Sequence, residues 1–143
     1  MNRICKFLAF IFVLAVPYMI AAEMPEGRLM RFPDIYKDKI VFSYAGDLWL
    51  AASTGGVARR ITTDPGLELF PKVSPDGKWI AFTGQYDGNF NVYVMPSDGG
   101  EPKQLTFEPD VAPMPERMGP NNQVITWLPD SRHILFLSRR DTF

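Results

Sequence analysis

The chain has one histidine, His133, and one cysteine, Cys5, which narrows the chemistry open to it. A serine nucleophile needs a base beside it, most often histidine, and a third group to orient that base. Ser74 sits in Ser-Pro-Asp and Ser131 in Pro-Asp-Ser, both turn contexts, and no Gly-x-Ser-x-Gly elbow is present. His133 occupies the station that Lys39 and Trp79 hold in two other copies of an internal repeat. A position that accepts Lys, Trp and His alike is tuned to no reaction. Asp76, Asp87, Asp98 and Asp130 could suggest calcium, but they fall in separate turns and lack the alternating acids of a calcium loop. Aspartate in a turn is accounted for by its bonds to nearby backbone. Arg59-Arg60 and Arg139-Arg140 are short basic pairs that read as solvated. The expectation is no catalytic, cofactor-binding or metal-binding residue, and no cofactor.

Composition removes further classes. Residues 7–20 are an apolar run behind Arg3 and Lys6, and Ala21-Ala22 precede a cut expected at Glu23. That is the layout of a secretory signal peptide over residues 1–22, which places the mature protein in the periplasm or outside the cell. The rival is an uncleaved anchor, but the run is interrupted by Pro17 and is shorter than the roughly 20 residues that span a bilayer. Cys5 would leave with the signal, so neither a disulfide framework nor a cysteine-ligated metal is available. Losing Arg3 and Lys6 takes 15 Lys+Arg and 16 Asp+Glu to 13 against 16, a net charge of −3. A mildly acidic surface without basic clusters argues against nucleic acid, and signal cleavage leaves no membrane contact.

The elements that would position any site come from a repeat. Leu48 and Val92, Gly55 and Gly99, and Ile61 and Leu105 are each separated by 44 residues. A third copy opens at Thr126-Trp127-Leu128-Pro129-Asp130 and runs through Ile134-Leu135-Phe136-Leu137. Short strands repeating at this period predict an all-β chain, a β-propeller of four-stranded antiparallel blades with about two and a half blades present. Blade one covers about 29–62, blade two about 69–106, and a partial third 123–143. Residues 79–83 form a nearly continuous apolar strand, expected where both faces are buried. The fourth strand of each copy is the most polar, as an outer edge should be. Trp49, Trp79 and Trp127 read as core. Between blades two and three, residues 107–122 carry four prolines and a glycine and form a long insertion loop. It is open whether that loop is functional or a solvated insertion.

Phe70-Pro71-Lys72-Val73-Ser74-Pro75-Asp76-Gly77-Lys78-Trp79-Ile80-Ala81-Phe82, then Val92-Tyr93-Val94-Met95 and Asp98-Gly99-Gly100, resembles the WD40-like repeat of TolB, prolyl oligopeptidase relatives and tricorn proteases. Pro33-Asp34-Ile35, Ile40-Val41-Phe42 and Asp47-Leu48-Trp49 near the mature start are similar to the opening of tricorn protease homologues. The resemblance implies an N-terminal propeller cut short of a serine peptidase core, with further modules, including the catalytic residues, lying C-terminal to it. It implies a scaffold and channel through which peptides reach a downstream site, and a homo-oligomer in the full-length protein. In such a channel one arginine pair could meet a peptide carboxylate. The founding enzyme is cytosolic, so the export signal is a departure. The alternative is a non-enzymatic, TolB-like periplasmic propeller that binds other proteins.

Overall fold

The computed structural model describes residues 29–107 and 119–139. The signal peptide expected over 1–22, most of the 107–122 insertion and Arg140 lie outside the described residues. No helix occurs among the described residues. Blade one is an antiparallel meander of β1 (Arg31–Tyr36), β2 (Lys39–Tyr44), β3 (Asp47–Ala52) and β4 (Arg59–Arg60). Blade two repeats it as β5 (Glu68–Val73), β6 (Trp79–Gly84), β7 (Asn91–Pro96) and β8 (Lys103–Gln104). A third sheet pairs β9 (Asn122–Trp127) with β10 (Ile134–Ser138). Asn122, expected to close the insertion loop, instead begins β9, because it pairs with Ser138.

Turn chemistry sets the meander. Ala45 (φ 54°) and Gly46 (φ 97°) form a two-residue hairpin, a geometry whose left-handed backbone follows the strand twist. In blade two the Ser74–Gly77 turn is closed by Gly77 N donating to Ser74 O at 2.8 Å. Ser74 Oγ donates to Asp76 Oδ1 at 2.6 Å and accepts from Trp79 N at 3.0 Å. Gly77 (φ 75°) also lies against the Tyr36 ring, where a Cβ would come within 2.1 Å of a ring carbon, so only glycine lets blade one rest on this turn. In β1 and β5 the register slips by a bulge at Phe32-Pro33 and Phe70-Pro71. Proline, which has no N–H to give a ladder, is at home in a bulge.

The sheets pack face to face. On one side of blade two, Ile80, Phe82, Tyr93 and Met95 are buried against Val41, Leu48, Leu50 and Ile61 of blade one. On the other side, Ala81 and Val92 pack on Val124 and Trp127. Alternate residues of β6 therefore enter different cores, which accounts for its apolar run. Polar ties reinforce the stack on the inner side: Asp34 accepts from Val73 N at 2.8 Å, and Trp127 Nε1 donates to Lys72 O at 2.8 Å. The tryptophans divide, against the expectation that all are core. Trp127 is buried and Trp49 half-buried, but Trp79 is 42% exposed. It is the first residue of β6, opposite Pro96 at the end of the sheet beside the turn.

Phe82 is fully buried between the blades, so Phe82→Ala is expected to cost about 3–5 kcal/mol in denaturant unfolding. Val57→Ala, in the connection between β3 and β4 and 98% exposed, is expected to change stability by no more than about 0.5 kcal/mol in the same measurement.

Candidate functional site

The residues singled out for chemistry meet in separate places: Ser74 and Ser131 both bond Asp76, His133 bonds Asp130, and Arg59 bonds Asp98. His133 lies in the β9–β10 turn with its side chain 70% exposed, bonded through Nδ1 to Asp130. Asp130 is pulled down to about 2 by the Arg132 backbone N–H and then by His133. Ser74 is buried inside its own turn, and Ser131 Oγ accepts the Asp76 N–H at 3.0 Å. Asp98 is held below the usual carboxylate range by Lys39, a tie between the ends of two blades. Among the described residues no three His, Cys, Asp or Glu side chains converge as metal ligands. Arg60 pairs with Asp47 at 3.2 Å, and Arg59 donates to the Asp98 carbonyl at 2.7 Å.

A different cluster emerges where blade one hands over to blade two. β4 is only two residues long, so the outer edge of the blade has little backbone ladder to hold it. Ile61 N donates to Leu48 O at 2.9 Å, and the next donor, Leu48 N, is taken by Thr62 Oγ1 at 2.8 Å. A side-chain hydroxyl thus extends the ladder by one rung. The same hydroxyl donates to Glu68 Oε2 at 2.8 Å. Glu68 opens β5, is fully buried, and gives its own N–H to Gly46 O at 2.8 Å.

Blade two repeats the device 44 residues later. Leu105 N donates to Val92 O at 2.8 Å, and Val92 N to Thr106 Oγ1 at 2.9 Å. Thr106 turns its hydroxyl to Asn91 Oδ1 at 3.0 Å, and Asn122 Nδ2 reaches Phe90 O at 3.1 Å. Asn122 opens β9 and is fully buried, as Glu68 is at the opening of β5. Each joint is a clasp made of a threonine just past the outer strand, a third-strand N–H and a buried polar residue that begins the next blade.

The first clasp borders a cavity of about 390 Å³ lined by Thr62, Thr63, Asp64, Tyr86, Glu101 and Pro102, among others. Tyr86 leans into the interface, its ring 4.5 Å from that of Tyr93. Burial, and next the Glu68 carboxylate, push its phenol upward. Glu68 itself is pushed up to about 7, chiefly by burial and further by Asp47 and Asp64, against the pull of Thr62 and Tyr86. Tyr86 is near enough to influence Glu68, yet neither Tyr86 Oη nor Glu68 Oε1 has a hydrogen-bond partner in sound geometry. A carboxyl titrating near neutrality suits acid–base work. Glu68 is shut from solvent, however, so its chemistry is that of an interface. The residue pattern gave a sign of it: an acid between Leu67 and Leu69, at the start of an apolar strand.

Comparison with known proteins fits this architecture. Residues 27–143 match the family described as the tricorn protease N-terminal beta propeller domain. Tricorn protease homolog 1 of Streptomyces coelicolor is 35% identical over 109 residues, covering 76% of this chain and 9% of that protein. A tricorn-like protease N-terminal subunit of Sulfurisphaera tokodaii is 30% identical over 102 residues, covering 68% of this chain and 47% of its own. The structure of a TolB from Agrobacterium tumefaciens superposes with a TM-score of 0.63 over 78% of this chain and 39% of its own, at 19% identity, a likeness of fold alone. The match spans less than half the length of each relative.

Thr62→Val keeps the shape but strands the Leu48 N–H and removes the one sound hydrogen bond to the Glu68 side chain. It is expected to cost about 1–3 kcal/mol in denaturant unfolding, with Thr62→Ser close to the parent.

Proposed function

The chain belongs to the tricorn protease N-terminal β-propeller family, and on that premise we propose that it is the propeller segment of an exported, tricorn-like serine peptidase. It serves there as scaffold and as a channel or gate for peptides, with hydrolysis carried out by residues outside those described. The observation that carries this reading is the family match over 27–143, on a fold that already has the parts of a toroid. β1 of blade one and β9 of the third sheet both pack against β5, so the inner strands sit side by side, while the two-residue edges β4 and β8 lie at the opposite side of their sheets. Successive blades arranged this way surround a central passage. The peptide partners follow from that passage. Assembly into a homo-oligomer belongs to the same proposal. So does export, which rests on the basic start and the apolar run of residues 7–20.

A second reading, which the same fold would serve, is a TolB-like propeller that binds other proteins and cleaves none. Isolation of the native protein with an antibody raised against residues 29–107 separates the two. The peptidase reading expects the captured material to hydrolyse peptides, a fluorophosphonate to abolish that hydrolysis, and its N-terminus to begin at Glu23. Captured protein that cleaves no peptide, and brings other proteins with it, would overturn the peptidase reading in favour of the binding module.

A further inference from the structure

The two clasps share the threonine that accepts the third-strand N–H but differ in the polar residues around it. Thr62 donates to Glu68, whereas Thr106 donates to Asn91, which stands where Asp47 stands in blade one, with Asn122 Nδ2 3.5 Å from the hydroxyl. At the second joint the buried polar residue is Asn122, which has no proton to lose. At the first it is Glu68, which does. The second joint shows that the clasp closes with a neutral residue, so the fold does not require an ionisable group at this station. An acid in that place adds a property of its own.

We infer that the joint between the first two blades is a pH-responsive latch, closed while Glu68 holds its proton and loosened when that carboxyl ionises inside the interface. The inference rests on the clasp geometry and is independent of the peptidase reading. In the closed joint Glu68 Oε2 accepts from Thr62 at 2.8 Å, while Oε1 has no partner. Protonation gives Oε1 a hydrogen to donate, and the buried, unsatisfied Tyr86 Oη is available to accept it. Ionisation leaves a buried negative charge facing only two neutral hydroxyls, Thr62 at 2.8 Å and the Tyr86 phenol, and their pull is outweighed by burial. The groups that face Glu68 give little relief. Asp47 at the start of β3 and Asp64 in the blade linker both oppose its charge. Thr62 on the outer edge and Tyr86 in the β6–β7 connection are neutral donors. Arg60, the cation bonded to Asp47, is engaged there at 3.2 Å. A buried charge this poorly matched draws water, and the cavity lined by Thr62 and Tyr86 offers the way in.

The sign of the pH effect follows from linkage. Glu68 titrates at about 7 in the closed joint against 4.5 when free, so the closed state holds the proton over that interval. Closure is therefore favoured most below pH 4.5, and that advantage is lost as pH rises through about 7. Across the interval the closed-to-open ratio falls by up to about tenfold per pH unit.

Hydrogen exchange on the full chain tests this, with rates corrected for the intrinsic dependence of exchange on pH. The amides of Leu48 and Glu68 report the first joint, and Val92, bonded to Thr106, reports the second. Between about pH 5 and about pH 8, protection at Leu48 and Glu68 is expected to fall by about tenfold or more while Val92 holds. Glu68→Gln, which cannot ionise, is expected to flatten the response at Leu48. Equal pH dependence at Leu48 and Val92 in the unmodified protein would overturn the latch, whether or not the variant folds. So would a carboxyl carbon of Glu68 that titrates at 4.5 in an NMR experiment instead of at about 7.

Discussion

Burial of Ile80, Phe82 and Met95 against Val41, Leu48 and Leu50 is the contact on which the other features depend. A four-stranded sheet cannot hide its apolar side chains by itself, and this chain solves the problem by stacking sheets. β6 sends alternate side chains into two cores, so blade two is stable only while neighbours cover both of its faces. The inner-strand ties, Asp34 to Val73 and Trp127 to Lys72, then fix how one sheet sits on the next. They are directional where the apolar packing is not.

Stacking creates a second demand at the outer side. The edge strands β4 and β8 are two residues each, exposed or half-exposed, and polar. Short polar edges resist pairing with other chains, but they hold their own sheet weakly. Thr62 and Thr106 answer that demand with a hydroxyl, which accepts the next ladder N–H and donates a hydrogen bond to a polar partner. Because one buried residue, Glu68 or Asn122, meets the clasp and also starts the next blade, the end of one sheet and the beginning of the next are a single structural unit. This is the place where a change of one side chain alters the joint without altering the fold. The peptidase reading and the latch meet here: a passage built from stacked blades is as rigid as the joints between them.

Much of this was legible in the residues themselves. The 44-residue spacing, the Pro-Asp-Gly turn, the apolar run of β6 and the polar fourth strands determined an antiparallel, four-stranded repeat, because strand period and turn chemistry are local properties of the chain. The same spacing placed Thr62 and Thr106 at equivalent stations. Tertiary structure decided what those stations do. Sequence periodicity treated Trp79 as core, yet exposure at a strand end depends on what packs over it in the fold, which no local pattern encodes. The chain leaves β6 at Gly84 and rejoins at Asn91, and that connection lets Tyr86 fold back onto the joint. Glu68 appeared only as an acid between two leucines. Its raised titration and its tie to Thr62 arise from burial between sheets whose strands are distant in sequence, and burial is a property that only the folded stack possesses.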